Sequence, residues 1–469
     1  MSLTSISNRL TPSVPLEITF GAQPTAVGRK FTTIFAHRAA AGGSGLDYQV
    51  LNVVNVGDPF AVKAEVDAFA GANSEASKMA VAFVKANSAV GRSNYPAFRI
   101  CLLPFAETSF GPADEAFTAV RNLRTDMFVS PYAASVGAQI TKLKDFVAFI
   151  SGPDRDLVGQ FGSFFTVGSL ESLAAAVLYN INQRSGIVAY LQDTNTALVN
   201  TTGDTTNGSA TIANVASVVG VNEGAVVTGP GIPANTTVVQ VLNGSLVLSA
   251  AATATAAGVA LAIQNLQSQS VQEVAAAHAA GMMASAFPYN PLQNVEIGGL
   301  VAPRKKSDII YFDPAGASEQ ALNAGLSPMT VLPNGGVGYI RTRTTFTTLP
   351  GPIPATAYFD WQDIVVLMDF REVCFQVAQN PPFNNNPGGT KASTQIASKL
   401  KDEVLREAFD FEADGAFQNV KLLSKFFQIE ISTSSRGRFD FKIPVDVVPG
   451  LYVIAGNIQA VSDLSQFTV

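Results

Sequence analysis

The sequence predicts a multidomain α/β protein with a small all-β domain inserted in it and an extended strand arm at each chain end. At 469 residues, the chain is long enough for about three domains. Strand-like and helix-like segments alternate on both sides of residues 195–264, which is typical of a parallel sheet covered by helices. Residues 195–264 are instead rich in Thr, Gly, Val and Asn, arranged as short β-branched runs between turn residues.

The composition limits the possible functions. Hydrophobic residues make up 47% of the chain and charged residues 14%, against roughly 25% charged residues in ordinary soluble proteins. This composition excludes disorder over the whole chain, and we expect partners to cover part of so weakly charged a surface. The net charge of −6 argues against nucleic acid as a partner.

The scarcity of cysteine and histidine, and the lack of long apolar runs, limit the kinds of site that the chain can hold. Two cysteines and two histidines are too few for a disulfide scaffold or a cysteine zinc site, and we expect no cofactor. No apolar run suits a signal peptide or a membrane span. We therefore expect a soluble protein made in a reducing compartment.

The predicted organisation has six segments. They are an N-terminal arm (1–24), an N-terminal α/β region (25–110), a middle α/β domain (111–194 with 265–305), the inserted β-rich domain (195–264), a C-terminal domain (306–446) and a C-terminal arm (447–469).

The two arms are predicted from alternating apolar residues next to prolines. Prolines favour an edge strand over a central one, so each arm is expected to add a strand to a sheet of its own chain or of a neighbour. The apolar positions are Val14, Leu16, Ile18 and Phe20 in the first arm. Those of the C-terminal strand and arm are Phe441, Ile443, Val445, Leu451, Val453 and Ile454.

The α/β flanks are predicted from hydrophobic periodicity. The predicted strands are 97–103, 126–130, 186–191, 295–301 and 338–346. The predicted helices are 78–87, 142–150, 169–182, 271–286, 361–379 and 394–413. Within the insertion, Asn243-Gly244 between two apolar runs predicts a tight hairpin. No Lys or Arg occurs between Arg184 and Arg304.

Catalytic motifs are scarce. The chain has no phosphate-binding loop of the Gly-x-x-x-x-Gly-Lys-Ser/Thr type. His278 lies in an alanine-rich helical segment and His37 has no flanking carboxylate motif, so neither is expected to act as a base. The carboxylate pairs are interpreted as solvated charges; they are Asp154/Asp156, Asp360/Asp363 and Asp410/Glu412. An α/β hydrolase-like enzyme with an accessory β-domain remains the alternative.

Several segments in order resemble the tail sheath proteins of contractile bacteriophages, of the Mu-like branch. The first is the proline-containing N-terminal strand at 6–18. The second combines 323–331 with the Tyr339-Ile340-Arg341-Thr342-Arg343-Thr344-Thr345 stretch. The third is Tyr358-Phe359-Asp360-Trp361-Gln362-Asp363, and the last is the closing strand and arm at 441–451. The resemblance covers most of the chain outside the insertion. A capsid or tube protein is a further alternative, although tube proteins are far shorter.

The resemblance implies a structural subunit without an active site. It implies hexameric rings stacked helically around a tail tube, arms that pair with neighbouring subunits, and contraction that drives the tube through the host envelope. The implied partners are the tube, baseplate and tail terminator proteins, and the implied location is the virion, after assembly in the host cytoplasm. Lys399, Lys401 and Arg406 are expected to face the tube, and the insertion is expected to project outwards.

Overall fold

The computed structural model describes most of the chain. The described residues are 2–5, 17–19, 31–88, 96–151, 163–169, 181–191, 198–218, 221, 225–242, 244–264, 269–284, 289–300, 317–332, 334, 336–347, 360–379, 383, 391–433 and 439–450.

The helices lie mainly outside the insertion. They are α1 (Pro59–Ala70), α2 (Glu75–Ser88), α3 (Glu115–Val120), α4 (Gly137–Ile150), α5 (Val271–Met283), α6 (Ala317–Asn323), α7 (Trp361–Gln379), α8 (Thr394–Ala413) and α9 (Val420–Leu423), which continues into the 3-10 turn Ser424–Phe426. Side-chain caps start several of them. Asp58 caps α1, Ser393 caps α8, and Ser270 with Glu273 forms a reciprocal capping box on α5.

The strands before the insertion are β1 (Ser2–Ser5), β2 (Glu17–Thr19), β3 (Phe31–His37), β4 (Val50–Asn52), β5 (Ala97–Leu103), β6 (Met127–Val129), β7 (Phe164–Ser169) and β8 (Gly186–Leu191). Those of the insertion are β9 (Leu198–Thr205), β10 (Thr211–Ile212), β11 (Val226–Thr228), β12 (Val238–Leu242), β13 (Ser245–Leu248) and β14 (Ala256–Gln264). The remainder are β15 (Glu296–Ile297), β16 (Ser327–Val331), β17 (Val337–Tyr339), β18 (Phe417–Gln418), β19 (Gln428–Ile431), β20 (Phe439–Lys442) and β21 (Asp446–Val447).

A nine-stranded sheet organises the larger part of the molecule. Its strand order is β15-β17-β16-β8-β7-β6-β3-β5-β4. The six strands from β16 to β5 are parallel to their neighbours, whereas β4, β17 and β15 are antiparallel additions at the two edges. The order of the parallel strands along the chain is the doubly wound order 2-1-3-4-5, extended by one strand. The parallel sheet predicted from the alternating flanks is therefore confirmed.

Helices cover both faces of this sheet, and the side chains of each strand alternate between two cores. Ile34 and Ala36 point into a core with α1, α2 and α5, whereas Phe35 points into a core with α3 and α4. The approach of α5 is close, because a Cβ built on Gly168 of β7 would collide with the carbonyl oxygen of Val271. Burial on both faces is the condition that all-parallel sheets require.

The insertion is a separate packing unit. Its strands form two three-stranded sheets, β10-β13-β12 and β11-β14-β9. Among the described residues, these strands pair only with other strands of the insertion. Its own hydrophobic core includes Leu246, Leu261 and Ile263. The hairpin predicted at Asn243-Gly244 is confirmed, with Leu242 opposite Ser245.

The C-terminal region has a third core, and α7 connects it to the main sheet. Trp361, Ile364 and Val365 of α7 pack into the core of the sheet, whereas Val366 and Phe370 pack against α8 and the short strands β18 and β19. The rings of Phe370, Phe411 and Phe417 lie 4.9–5.2 Å apart by their centroids. One helix therefore belongs to two cores.

Most predicted elements agree with the structure, and several differ. Residues 338–346 were predicted as one strand, but β17 ends at Tyr339 because the following residues bond to other parts of the chain, such as Thr345 N to Gly186 O at 2.8 Å. The strand predicted at 295–301 is reduced to Glu296–Ile297, and β7 was missed. Ser169 ends β7, so the helix predicted at 169–182 does not begin there; its residues 170–180 lie outside the described residues.

The sheet also joins segments that the sequence analysis assigned to different domains. It draws strands from residues 31–103, 127–191 and 296–339. The outer boundaries of the six predicted segments stay predictions.

Candidate functional site

His37 is held in place by hydrogen bonds at both ring nitrogens. Nδ1 lies 2.7 Å from Glu75 Oε1, and Nε2 lies 2.7 Å from the Glu107 carbonyl oxygen. Both partners are acceptors, so only the protonated ring donates to both. Burial lowers the pKa of His37, but the hydrogen bond and charge of Glu75, together with Glu107, raise it above its ordinary value. The ring therefore joins β3 to the start of α2.

His278 is enclosed in a core. It is fully buried in α5, its ring lies 5.2 Å from that of Tyr339, and burial lowers its pKa to about 3. The ring is neutral at physiological pH. Its surroundings are those of a packed core residue.

The pair Asp360 and Asp363, at the start of α7, was interpreted as solvated, and this is wrong. Both residues are less than 10% exposed. The guanidinium of Arg341 donates two hydrogen bonds to Asp360, at 2.8 and 2.6 Å. Burial and the neighbouring charge of Asp360 raise the pKa of Asp363 to about 7, against the opposing effect of Arg341. The residues are buried because α7 lies between two cores. The pair Asp154/Asp156 lies outside the described residues.

Further ionic contacts fasten α7 to the main sheet. Arg124 Nη2 lies 3.2 Å from Glu372 Oε1, and Arg371 donates to the Ser151 carbonyl oxygen at 3.1 Å. In the described part of the chain, no group of three or more His, Cys, Asp or Glu side chains is placed to hold a metal ion. None of the described helices is long and apolar enough to cross a membrane.

The C-terminal region contains two small antiparallel sheets, each of two described strands. The antiparallel hairpin of β19 and β20 places Ile429 opposite Phe441 and Ile431 opposite Phe439, so these four apolar side chains share one face. Ile429 is buried, but Ile431 and Phe441 remain 38% and 41% exposed. Among the described residues this sheet consists of two strands, and a short sheet of this kind can be extended by a further strand.

The second of these sheets pairs β18 with β21. Phe417 lies opposite Val447 and Gln418 opposite Asp446. Both Phe417 and Val447 are buried, whereas Val448, the next residue, is 38% exposed. The predicted arm positions Leu451, Val453 and Ile454 follow this strand and lie outside the described residues.

Phe441, Ile443 and Val445 were predicted as positions of one C-terminal strand, but the structure divides it. β20 ends at Lys442 and β21 begins at Asp446. Pro444 lies between them and has no amide hydrogen to give to a ladder. Ile443 and Val445 therefore lie in the connection between two sheets, where both are half-buried against the C-terminal core.

The N-terminal arm contains strand structure at the predicted place. β2 covers Glu17–Thr19 and pairs with β1, with Ile18 opposite Leu3. The strand β1 was not predicted. Val14, Leu16 and Phe20 lie outside the described residues, so their pairing with another subunit stays a prediction.

The three basic residues predicted to face one partner do not share a face of α8. At 3.6 residues per turn, Lys399 and Arg406 lie about 20° apart around the helix, whereas Lys401 is about 160° from Lys399. Arg406 lies within 2.9 Å of Glu403 and 2.7 Å of Glu407. Its charge is therefore largely balanced inside its own helix.

Comparison with known proteins gives structural similarity without sequence similarity. No protein-family model matches the chain, and no curated protein matches it. The fold is similar to a sheath tail protein from Desulfitobacterium hafniense (TM-score 0.48, 9% identity, 92% of this chain and 100% of that chain). It is also similar to a sheath tail protein from Listeria innocua (TM-score 0.49, 8% identity, 91% and 96%). A third similar structure is the helical sheath of the anti-feeding prophage in the contracted state (TM-score 0.47, 10% identity, 97% and 100%).

Proposed function

We propose that this chain is the structural subunit of a contractile tail sheath and has no enzymatic activity. The ordered resemblance at 6–18, 323–331 with 339–345, 358–363 and 441–451 supports this function. The placement of the histidines is consistent with it, because one is enclosed in a core and the other is bonded at both ring nitrogens.

The observation that carries the proposal is the half-covered hairpin of β19 and β20. A strand from the arm of a neighbouring subunit would add to this sheet and cover the exposed sides of Ile431 and Phe441. Four added backbone hydrogen bonds at about 1 kcal/mol each give a few kcal/mol per subunit. This small energy becomes large when it is repeated along a polymer, and a covalently continuous arm would keep neighbours joined during contraction.

The proposed assembly is the one that the resemblance implies. Subunits form hexameric rings that stack around a tail tube, the baseplate and tail terminator proteins bind the two ends, and contraction drives the tube through the host envelope for genome ejection. The chain then belongs to the virion after assembly in the host cytoplasm. The assignment to the Mu-like branch is part of this proposal.

Electron microscopy of the purified chain tests the function directly. We expect ringed tubes that form in the absence of any nucleotide. A monodisperse monomer at every concentration and salt condition would contradict the proposal.

The insertion is proposed to project from the outer surface of the sheath. It has its own core, and its first and last strands pair directly, with Leu198 opposite Gln264. Its two ends are therefore about 5 Å apart. Replacing residues 198–264 with a short glycine linker should leave the main sheet folded and assembly intact. Loss of polymerisation in a folded deletion variant would contradict the outward placement.

A further inference from the structure

A short basic and apolar turn stands out on the surface of the C-terminal region. Lys421, Leu422, Lys425 and Phe426 follow β18 along α9 and the 3-10 turn, and we call them the lysine turn. Leu422 is 58% exposed and Phe426 is 54% exposed. The Lys425 ammonium lies 5.0 Å from the centre of the Phe426 ring. The turn therefore exposes two large apolar side chains beside two cations.

The lysine turn is not explained by contacts within the chain. In the described part of the molecule neither lysine takes part in a salt bridge, and the neighbouring Leu423 and Phe427 already supply the contacts to the C-terminal core. An occupant therefore has to offer carboxylates together with an apolar side chain.

The solvent side of α8 offers this combination. From Lys399 to Asp414, α8 and its C-cap carry six carboxylates against three cations, and of these cations Lys399 and Arg406 lie on one side of the helix. Phe409 is 40% exposed in the same stretch, next to Asp410. We call Asp402, Glu403, Phe409 and Asp410 the acidic strip.

The acidic strip is crowded with like charges. Burial, together with the charges of Asp410 and Glu403, raises the pKa of Glu407, although Arg406 opposes the shift. Burial and the charge of Asp410 likewise raise the pKa of Asp414. Two ammonium groups from another molecule would reduce this repulsion. Within one chain the strip and the lysine turn form no salt bridge with each other.

We propose that the lysine turn of one subunit binds the acidic strip of a second copy of this chain. The inference rests on the proposed self-assembly and names one contact within it. Because the two surfaces are different, the contact is head-to-tail and repeats from copy to copy, as a helical polymer requires. The terminal arms play no part in it.

A charge-swap experiment on the full chain tests the contact. One variant carries Lys421→Glu and Lys425→Glu, and the other carries Asp402→Lys and Asp410→Lys. The control carries Lys78→Glu and Lys391→Glu, at two exposed lysines elsewhere. Circular dichroism checks folding, and light scattering with negative-stain microscopy gives the concentration needed for assembly.

The expected results separate the possible partners. The wild-type chain and the control assemble at the same concentration, each swap variant alone needs about tenfold more protein or more, and an equimolar mixture of the two variants assembles like wild type. Wild-type assembly of the Lys421/Lys425 variant, or a folded mixture that fails to assemble, would overturn the inference and leave the proposed function standing. If that variant assembles but no longer binds tail tubes, the tube is the occupant and the inference is wrong. A monomeric wild-type chain would overturn both.

Discussion

The nine-stranded sheet and the C-terminal region cover their apolar residues to different extents. In the sheet, β3, β5, β6, β7 and β8 are buried on both faces by helices. In the C-terminal region, the hairpin of β19 and β20 buries one apolar residue fully and leaves Ile431 and Phe441 partly exposed. The sheet therefore has its apolar residues covered within one chain, whereas we propose that strands of another copy cover those of the C-terminal region.

The helix α7 packs against both regions and connects them. Its first turns pack into the sheet core and its middle packs into the C-terminal core. A load applied to the C-terminal region is therefore transmitted to the sheet through a helix with buried ionic contacts.

The two regions are expected to differ most in the free energy of unfolding that is lost when a phenylalanine ring is removed. Phe35→Ala in the sheet should lower the free energy of unfolding by about 3–5 kcal/mol, because the buried ring leaves a cavity. Phe441→Ala should cost below about 1 kcal/mol, because this ring is half solvated before assembly. Urea unfolding of the unassembled subunit measures both. Equal losses would remove the contrast between a complete and an incomplete region.

The junction at α7 should make stability depend on pH. Asp363 has a pKa of about 7 in the folded chain against 3.8 as its ordinary value, so between these values the folded state binds more protons. Its contribution is present below about pH 4 and is lost as pH rises through 7. Asp363→Asn should flatten this decrease, measured by thermal unfolding between pH 4 and 8. An unchanged slope in the variant would show that another group causes it.

His37 should add a smaller dependence in a higher window. Its folded pKa is raised above 6.5, so its stabilising effect is complete below pH 6.5 and is lost as pH rises through the folded value. His37→Gln should remove that decrease. Glu75→Gln, which takes away the main raising partner, should move the NMR titration of His37 to lower pH. A titration that does not move would show that Glu75 is not the cause.

Periodicity in the sequence predicted the elements that depend on local pattern. α7 and α8 were predicted with the bounds that the structure gives, because each has an apolar face several turns long. β5 and the Asn243-Gly244 hairpin also agree, since alternation and turn chemistry are local signals.

The features that the sequence did not predict depend on contacts between residues far apart in the chain. The joining of β16 and β17 to the sheet depends on the pairing of β16 with β8. The burial of Asp360 and Asp363 depends on the position of α7 between two cores. The apolar spacing of α8 predicted the helix, but Lys399 and Lys401 lie about 160° apart around it and do not share a face. The run Phe164-Phe165-Thr166-Val167 in β7 was a readable strand signal that was overlooked.

The central claim is that the C-terminal region is completed by the arm of another copy. Negative-stain electron microscopy of the intact chain beside a chain lacking residues 1–20 tests it most directly, with circular dichroism to show that both are folded. The account predicts long ringed tubes from the intact chain and folded monomers from the truncated one. Tubes of the same length from both, or folded monomers from both, would contradict it.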